Sequence, residues 1–551
     1  MITERCPIMV TAGSSAASKR SYTAEDFGLT PERLDAAVVK FRKVLGEEGV
    51  LTGDAAREFG DPFSPDEWVE LIPPVVLQPT NTEQVQDIVR IANEYEVPLW
   101  TTSQGRNLGY GGSAPRLPGS VVVNLRRMNK VVEVNDELGY VVVEPGVSYN
   151  QLYEELRARR SRLWADVPDI GWGSVVGNAM DHGIGYSVYG DHAGAVCGME
   201  VVLADGEIMR TGMGAMENNR TWHLSPRGYG PTADGIFMQS NYGIVTRMGY
   251  HCFPEPEIYM PCFAMLDSDD LVEPFLEALR PLMLNRTIMN IPSMFNALGA
   301  LSFSGGHDRN EIYDGEGPVP QEAAEAYARD RLGVGAWSMR FALYGAESVV
   351  DEQFKIVKQT LEAVEGVRIV GQKHPGNDLP VEEFDQNMKV QACVPDMSML
   401  KATDFIGAER GGHMTFSSLV PLTGRDGARI RDLVKQRVEG IGLDYTSTFL
   451  IHQRHAIHVA VIIFNLEDES APQAYETCRQ LIAELGELGY AEYRAHVDYM
   501  DLVASLFGYN NHIQLDFNER IKDALDPKGI LSPGKQGIWP RRLRELGADD
   551  R

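Results

Sequence analysis

The segment "RNLGYGGSAPR", residues 106–116, sets three glycines around Tyr110. Glycine admits positive φ and lets a backbone come close to a ligand. Successive backbone N–H groups in such a loop make a cradle for anions, phosphate above all. The segment fits neither GxxxxGK[ST] nor GxGxxG, and neither pattern occurs anywhere in the 551 residues. A second dense stretch, "WADVPDIGWGSVVGNAMDHGIGYSVYGDH" (164–192), carries Gly171, Gly173, Gly177, Gly183, Gly185 and Gly190. A third cluster, "HQRHAIH", spaces His452, His455 and His458 three apart between the apolar runs "TFLI" and "VAVIIF". Those runs read as strands, where residues three apart face opposite sides of a sheet. The pattern therefore suits structural or pocket-lining histidines better than a metal site. HExxH, GxSxG, paired CxxC and EF-hand loops are absent, which removes zinc peptidases, the common serine hydrolases and calcium modules.

Two glycine loops separated by a strand pair and a helix suggest one extended ligand held by backbone amides, and an FAD pyrophosphate with its isoalloxazine would fit. Two tight turns with no ligand fit the spacing equally well. The elements around the loops are clearer. "TPERLDAAVVKFRKVLG" (30–46) starts on a threonine N-cap and has helical periodicity. "TNTEQVQDIVRIANEYEV" (80–97) follows the same scheme, with an apolar stripe of Val85, Ile88, Val89 and Ile91. "PPVVLQP" before it, "PLWTTS" after it and "SVVVNL" (120–125) read as strands, so the first glycine loop follows a strand–helix–strand unit. "VVEVND" and "GYVVVEPG" form a hairpin, followed by the helix "SYNQLYEELRAR". Beyond about residue 257, longer helices alternate with strands such as "WSMRFALYG" and "AIHVAVIIFN", an α+β layer with antiparallel hairpins. Segment 304–320 reads as a surface loop and residues 1–20 as loose chain.

The formal charge of −27 and pI near 4.9 argue against nucleic acid and against an anionic membrane surface. Six cysteines, none at CxxC spacing, give no disulfide framework. No signal peptide, no run long enough to span a membrane and no peroxisomal address is read, so a cytoplasmic enzyme is expected.

Seven segments in order carry a resemblance. They are "SQGRNLGYGGSAPRLPGSVVVNL", "VEPGVSYNQLYEEL", "DVPDIGWGSVVGNAMDHGIGYSVYGDH", "GMEVVLADGEIMRTGMGAM", "DGIFMQSNYGIVTRMG", "AEYRAH" and "IKDALDPKGILSPGKQGIWP". Together they resemble the vanillyl-alcohol oxidase family of flavoproteins over nearly the whole chain, with the eugenol oxidase and 4-alkylphenol oxidase branch most similar. The resemblance implies an α+β fold. A two-part FAD domain (1–256 and 497–551) would flank an inserted cap domain (257–496) built on an antiparallel sheet. It implies that Ser103, Gly105, Arg106, Asn107, Leu108, Gly109, Gly111 and Gly112 wrap the FAD diphosphate. Pro168, Gly173, Ser174, Gly177, Asn178, Gly183, Tyr186, Gly190 and Asp191 would border the flavin ring and the adenine-side channel. Gly243, Ile244, Val245 and Lys535 would complete the cofactor site. No metal is implied.

The same resemblance groups Tyr110, Tyr493 and Arg494 as a phenolate clamp. A para-substituted phenol has a pKa of about 10, and a guanidinium with two phenolic O–H donors favours its anion. Hydride then leaves the benzylic carbon for the flavin and a p-quinone methide remains. Asp169 would activate water toward that species, or take the alcohol proton, as general base; Asp166 reads as structural. His413, in "GGHMTF", matches the covalent flavin attachment position of the oxidases, where a dehydrogenase relative has tyrosine. Read without the resemblance, "EYR" is a strand end with surface polar residues. Trp172 stands where the family usually has glycine, and Thr415 where it has a bulkier apolar residue. The expectation is a phenol-oxidising enzyme that reduces O2 to hydrogen peroxide, acting as a homodimer or higher homo-oligomer. A dehydrogenase passing electrons to a cytochrome, or a non-catalytic flavin-binding protein, are the alternatives.

Overall fold

The computed structural model describes residues 22–65 and 72–546. The segment expected to be loose at 1–20, Cys6 and the last residues of "ELGADDR" lie outside them. A four-stranded sheet comes first. Its strands run in the order Val50–Thr52, Val75–Leu77, Val121–Asn124, Leu99–Thr102; the first pair is antiparallel and the others parallel. Val75–Leu77 and Val121–Asn124 are buried along their whole length, as parallel strands covered on both faces must be. Helix Thr82–Tyr95 crosses between strands, capped by the Asn81 side chain on Gln84 N–H at 2.9 Å. It buries Val85, Ile88, Val89 and Ala92; the expected Ile91 is only half-buried at the edge of that stripe. The expected hairpin forms from Val131–Asn135 and Tyr140–Val143, part of a five-stranded antiparallel sheet with Gly243–His251, Val196–Leu203 and Ile208–Arg210.

The third sheet is antiparallel throughout, running from Val367–Gly371 through Ile258–Leu266, Trp337–Gly345, Ser293–Asn296, Ser447–Ile451 and His455–Asn465 to Gly411–Pro421. Period two decides what each face does. Along Gly411–Pro421, Met414, Phe416 and Val420 enter the core formed with helices Val272–Leu284, Glu347–Leu361, Gly424–Gly440 and Ser470–Glu487. His413, Thr415 and Ser417 therefore point the other way. In Trp337–Gly345, Met339, Phe341 and Leu343 join the same core, which leaves Arg340 on the opposite face. His455 and His458 obey the same rule on opposite faces of their strand. His452 sits in the turn before the strand, its ring stacked 4.4 Å from that of His455. Segment 304–320 is not loop throughout: Asp308 caps a helical turn at Arg309–Ile312. No helix among the described residues is long and apolar enough to cross a membrane.

The end of the chain returns to the first sheet. Leu99 N–H donates to Ile530 C=O and Ser532 N–H to Leu99 C=O, each at 2.7 Å. A buried ion pair fixes this return: Lys522 Nζ donates to Asp526 Oδ2 (2.8 Å), Asn241 C=O (2.8 Å) and Leu531 C=O (2.6 Å). Asp526 in turn accepts the N–H groups of Ile530 and Leu531. Removing one partner of such a pair leaves an uncompensated buried charge. Lys522→Ala should therefore destabilise the protein by about 3–5 kcal/mol, read as a lowered urea midpoint at unchanged slope; Lys522→Met, with the same defect, should behave alike.

Candidate active site

The two glycine stretches and the returning tail enclose one cleft with about 1290 Å³ of empty space, counted to its open mouth. Of the residues expected to bind cofactor, Ser103, Gly105, Arg106, Asn107, Gly111, Gly112, Gly173, Ser174, Gly177, Asn178, Gly243, Ile244, Val245 and Lys535 line it. Gly111 has φ +103, and a Cβ there would stand 2.5 Å from Val497 Cγ1, so only glycine lets the loop lie this close to the 497 turn. Arg106 Nη1, Thr101 Oγ1 and Ser240 Oγ are buried in or beside the cleft without a hydrogen-bond partner. Burial, then the like charge of Arg126, pulls the Arg106 guanidinium down to about 10. Orphaned donors and two crowded guanidiniums are the groups that a diphosphate dianion satisfies, so the cleft fits a dinucleotide such as FAD. Leu108, Gly109, Pro168, Gly183, Tyr186, Gly190, Asp191 and His413 stand outside the lining. Gly183 packs against Asn178, Gly190 against the Gly185 carbonyl, and Asp191 is exposed and caps Gly194 N–H. Trp100 and Gln104, just before the first glycine loop, also line the cleft without having been singled out, as do Phe237, Asn241, Leu531 and Ser532, which arrive from distant segments.

Tyr110, Tyr493 and Arg494 come together at one end. The Arg494 guanidinium lies 4.2 Å over the Tyr110 ring and donates to Asn107 Oδ1 at 2.5 Å, while its Nε is buried without a partner. Tyr110 Oη bonds Ser417 Oγ at 2.8 Å, and Tyr493 N–H donates to Ser417 C=O at 3.3 Å. Burial pushes both phenols up; Tyr493 adds to the push on Tyr110, and Arg494 opposes it at both. Burial works against the Arg494 charge, but Tyr493 and Tyr110 outweigh it, so Arg494 stays a cation. The "EYR" segment is thus a buried cluster, and the surface strand-end reading does not hold.

Asp169 sits beside this group. It accepts from Tyr186 Oη, from Arg340 Nη2 at 2.6 Å and from Gln386 Nε2 at 2.8 Å. Arg340 also stacks 4.0 Å over the Tyr186 ring. Asp166 holds Tyr186 in place: it is fully buried, takes the N–H groups of Tyr186 and Ser187 and bonds His192 Nε2 at 2.7 Å. This is the structural role read from sequence. Arg340 and Gln386 carry no local signal; sheet pairing brings Arg340 here, and the start of helix Gln386–Gln391 brings Gln386.

His413 backs onto the glycine loop. Its ring lies 4.8 Å from Phe63, its Nδ1 is 3.4 Å from Thr415 Oγ1, and burial pulls it down to about 4 against the Asp61 carboxylate. The imidazole is neutral, with ring nitrogens available as nucleophiles near pH 7. His458, by contrast, bonds Tyr445 and Ser447 in the core. No group of three or more His, Cys, Asp or Glu among the described residues could hold a metal ion.

Comparison with known proteins agrees with this geometry. A family model described as an FAD binding domain matches residues 73–212, and one for FAD linked oxidases, C-terminal domain, matches 399–536. The 4-cresol dehydrogenase [hydroxylating] flavoprotein subunit of Pseudomonas putida is 35% identical over 93% of this chain and 97% of its own. Among solved structures, a 4-ethylphenol oxidase from Gulosibacter chungangensis in an isoeugenol complex is 37% identical. It covers 94% of this chain and 99% of its own, with TM-score 0.88. A p-cresol methylhydroxylase with substrate bound is 33% identical over 93% and 98%, with TM-score 0.87.

Gly109 tests the junction of loop and strand. It has φ +75, and a Cβ there would fall 2.6 Å from both His413 Cε1 and Thr415 Oγ1. Backbone strain alone costs about 1–3 kcal/mol, so Gly109→Ala should lower FAD affinity about tenfold or more. The ratio of flavin to protein absorbance in purified protein reads this directly.

Proposed function

The chain belongs to the vanillyl-alcohol oxidase and p-cresol methylhydroxylase family of FAD-dependent oxidoreductases, and we propose that it oxidises para-substituted phenols at the benzylic carbon with O2 as electron acceptor and hydrogen peroxide as by-product. The observation that carries the reading is the convergence of Tyr110, Tyr493 and the Arg494 cation on one end of the cleft. The FAD domain would comprise 1–256 and 497–551, and the cap 257–496. FAD, when bound, supplies the hydride acceptor. The chain's own residues do the rest. Arg494 offers a charge to a phenolate oxygen, and the Tyr110 and Tyr493 hydroxyls donate to it, which favours the anion over the phenol. The negative oxygen pushes electron density to the para carbon, so loss of hydride leaves a p-quinone methide. Asp169, held by Arg340, Gln386 and Tyr186, takes a proton from water attacking the benzylic carbon of that quinone methide, or from an alcohol substrate. Arg340 and Gln386 fix the carboxylate's direction, as a positioned base requires. Arg106 and the first glycine loop hold the diphosphate, and His413 is the residue placed to carry a covalent link to the flavin. The preferred substrates are 4-alkylphenols and eugenol- or vanillyl-alcohol-like phenols. Homodimers or higher homo-oligomers in the cytoplasm are proposed from the family alone.

A second reading has a specific observation behind it. The 35% identical relative is named a dehydrogenase and a flavoprotein subunit, so electrons could pass to a cytochrome instead of O2. The 37% identical oxidase, and a histidine in place of a tyrosine at position 413, favour the first reading.

Anaerobic 4-ethylphenol should bleach the bound flavin, and air should restore the colour with about one hydrogen peroxide per flavin. A reduced flavin that persists in air and is reoxidised only by added cytochrome c establishes the second reading. Arg494→Ala should lower kcat/KM for 4-ethylphenol by about ten- to a hundredfold, the worth of one charge-assisted hydrogen bond of about 1.5–3 kcal/mol; unchanged kcat/KM removes Arg494 from the clamp. Acid precipitation should leave yellow colour in the pellet and flavin mass on the His413 peptide, while His413→Ala should release all flavin to the supernatant.

A further inference from the structure

Glu492 precedes the clamp tyrosine and is 6% exposed. Its Oε1 accepts Ser417 N–H at 3.0 Å, and the hydroxyl of the same serine bonds Tyr110 Oη at 2.8 Å. Its Oε2 is buried without a hydrogen-bond partner, as is the hydroxyl of Ser418, which bridges to Glu492 through the backbone. The groups facing it are Tyr110 from the glycine loop, Cys478 from helix Ser470–Glu487 and Tyr499 from the turn Val497–Tyr499. A negative Glu492 opposes ionisation of each. Arg494, two residues on, has its side chain on Asn107 and on the Tyr110 face. The carboxyl is thus held by one backbone N–H in a dry site, and burial, against that N–H, pushes it up to about 8.

A phenolate seated at Tyr110 Oη enters the field of the same carboxyl. Two like charges so placed do not both persist in a low dielectric; one keeps a proton. We propose that Glu492 is a positioning residue of the phenol site that shares one ionisation with the bound phenol, so that the complex always holds a phenolate beside a neutral Glu492 carboxyl. This rests on the phenolate reading above. The protons balance in both pH regimes. Where free Glu492 is already neutral, the phenol O–H breaks on binding and its proton goes to solvent. Where free Glu492 is ionised, the same proton ends on the Glu492 carboxylate and none is released. Affinity for a phenol should therefore rise about tenfold per pH unit up to Glu492's own titration and then level, well below the phenol's pKa of about 10.

The test uses the holoenzyme and 4-tert-butylphenol, which has no benzylic hydrogen to lose. Calorimetry in two buffers of different ionisation enthalpy counts protons released per ligand bound, on either side of pH 8. The wild type should release one on the acid side and none on the alkaline side. Glu492→Gln, permanently neutral, should release one on both sides, and its affinity should keep rising where the wild type levels. One proton released on both sides by the wild type overturns the role of Glu492 and leaves the phenolate reading standing. So does a Glu492→Gln profile identical to the wild type's alkaline loss, since another group then takes the proton. No release on either side overturns phenolate binding itself, and the proposal with it. If the glutamine variant does not fold, Glu492→Met, equally unable to take a proton, makes the same comparison.

Discussion

A cation on which no carboxylate among the described residues closes organises this molecule. Arg494 is held by the amide oxygen of Asn107 and the face of Tyr110, with Asp181 acting at longer range. In a chain of net charge −27 a partner for it would have been easy to supply. Burying a guanidinium on neutral acceptors costs stability, and the cost makes sense if an anion arrives from outside. Arg106 repeats the arrangement further along the cleft with Arg126 close by, and each carries an orphaned N–H group. The acidic surface and the basic lining are two halves of one electrostatic design: soluble outside, selective for anionic groups within.

Holding that cation in place requires segments from three regions of the chain to meet within a few ångströms. The glycine loop, the strand Gly411–Pro421 and the 492–497 segment are laced by main-chain bonds. Thr415 N–H donates to Gly109 C=O, Tyr493 N–H to Ser417 C=O and Val497 N–H to Tyr110 C=O. The strand is the common member. Its period of two sends Met414 and Phe416 into the core and His413, Thr415 and Ser417 toward the loop. A one-residue slip in that register would exchange the two sets and lose core and site together. The site is therefore as stable as the sheet that carries it, which suits chemistry needing donors fixed in advance.

What could be read from the residues alone divides along the same line. Glycine density showed that a backbone comes close to something, since a Cβ at Gly109 or Gly111 has no room. Helix Thr82–Tyr95 and the strands beside it were legible because cap and periodicity are local. "EYR" looked like a polar strand end, because its burial depends on Asn107 and Tyr110, hundreds of residues away, and on Ser417 in the strand Gly411–Pro421. Arg340 was invisible for the same reason: one arginine in an apolar strand, meaningful only once the pairing of Trp337–Gly345 with Ile258–Leu266 and Ser293–Asn296 turns it toward Asp169. Asp166 was readable as structural, but its actual work, pinning the Tyr186 turn under Asp169, needed the fold. Family resemblance supplied the grouping of Tyr110, Tyr493 and Arg494, which composition and spacing do not contain, but not Arg340 or Gln386.

The departures from the family's pattern fall around the centre of the site. Trp172, 40% exposed where glycine is usual, lies under the Arg106 guanidinium with 3.4 Å from its Cζ to the ring centroid. A ring in that position offers a π-face to a cation that Arg126 repels. Thr415 puts a hydroxyl, where an apolar side chain is usual, beside the His413 imidazole, both of them against Gly109. Tyr110, Asp169, Tyr493 and Arg494, to which we assign the charges and protons of the proposed chemistry, are the positions where the resemblance to the family holds. Bond-making imposes narrow demands on charge and geometry at the centre, whereas a second layer can supply the same orientation by several side chains. Variation is therefore tolerated one contact away from the reacting atoms, and there it tunes how the centre is held.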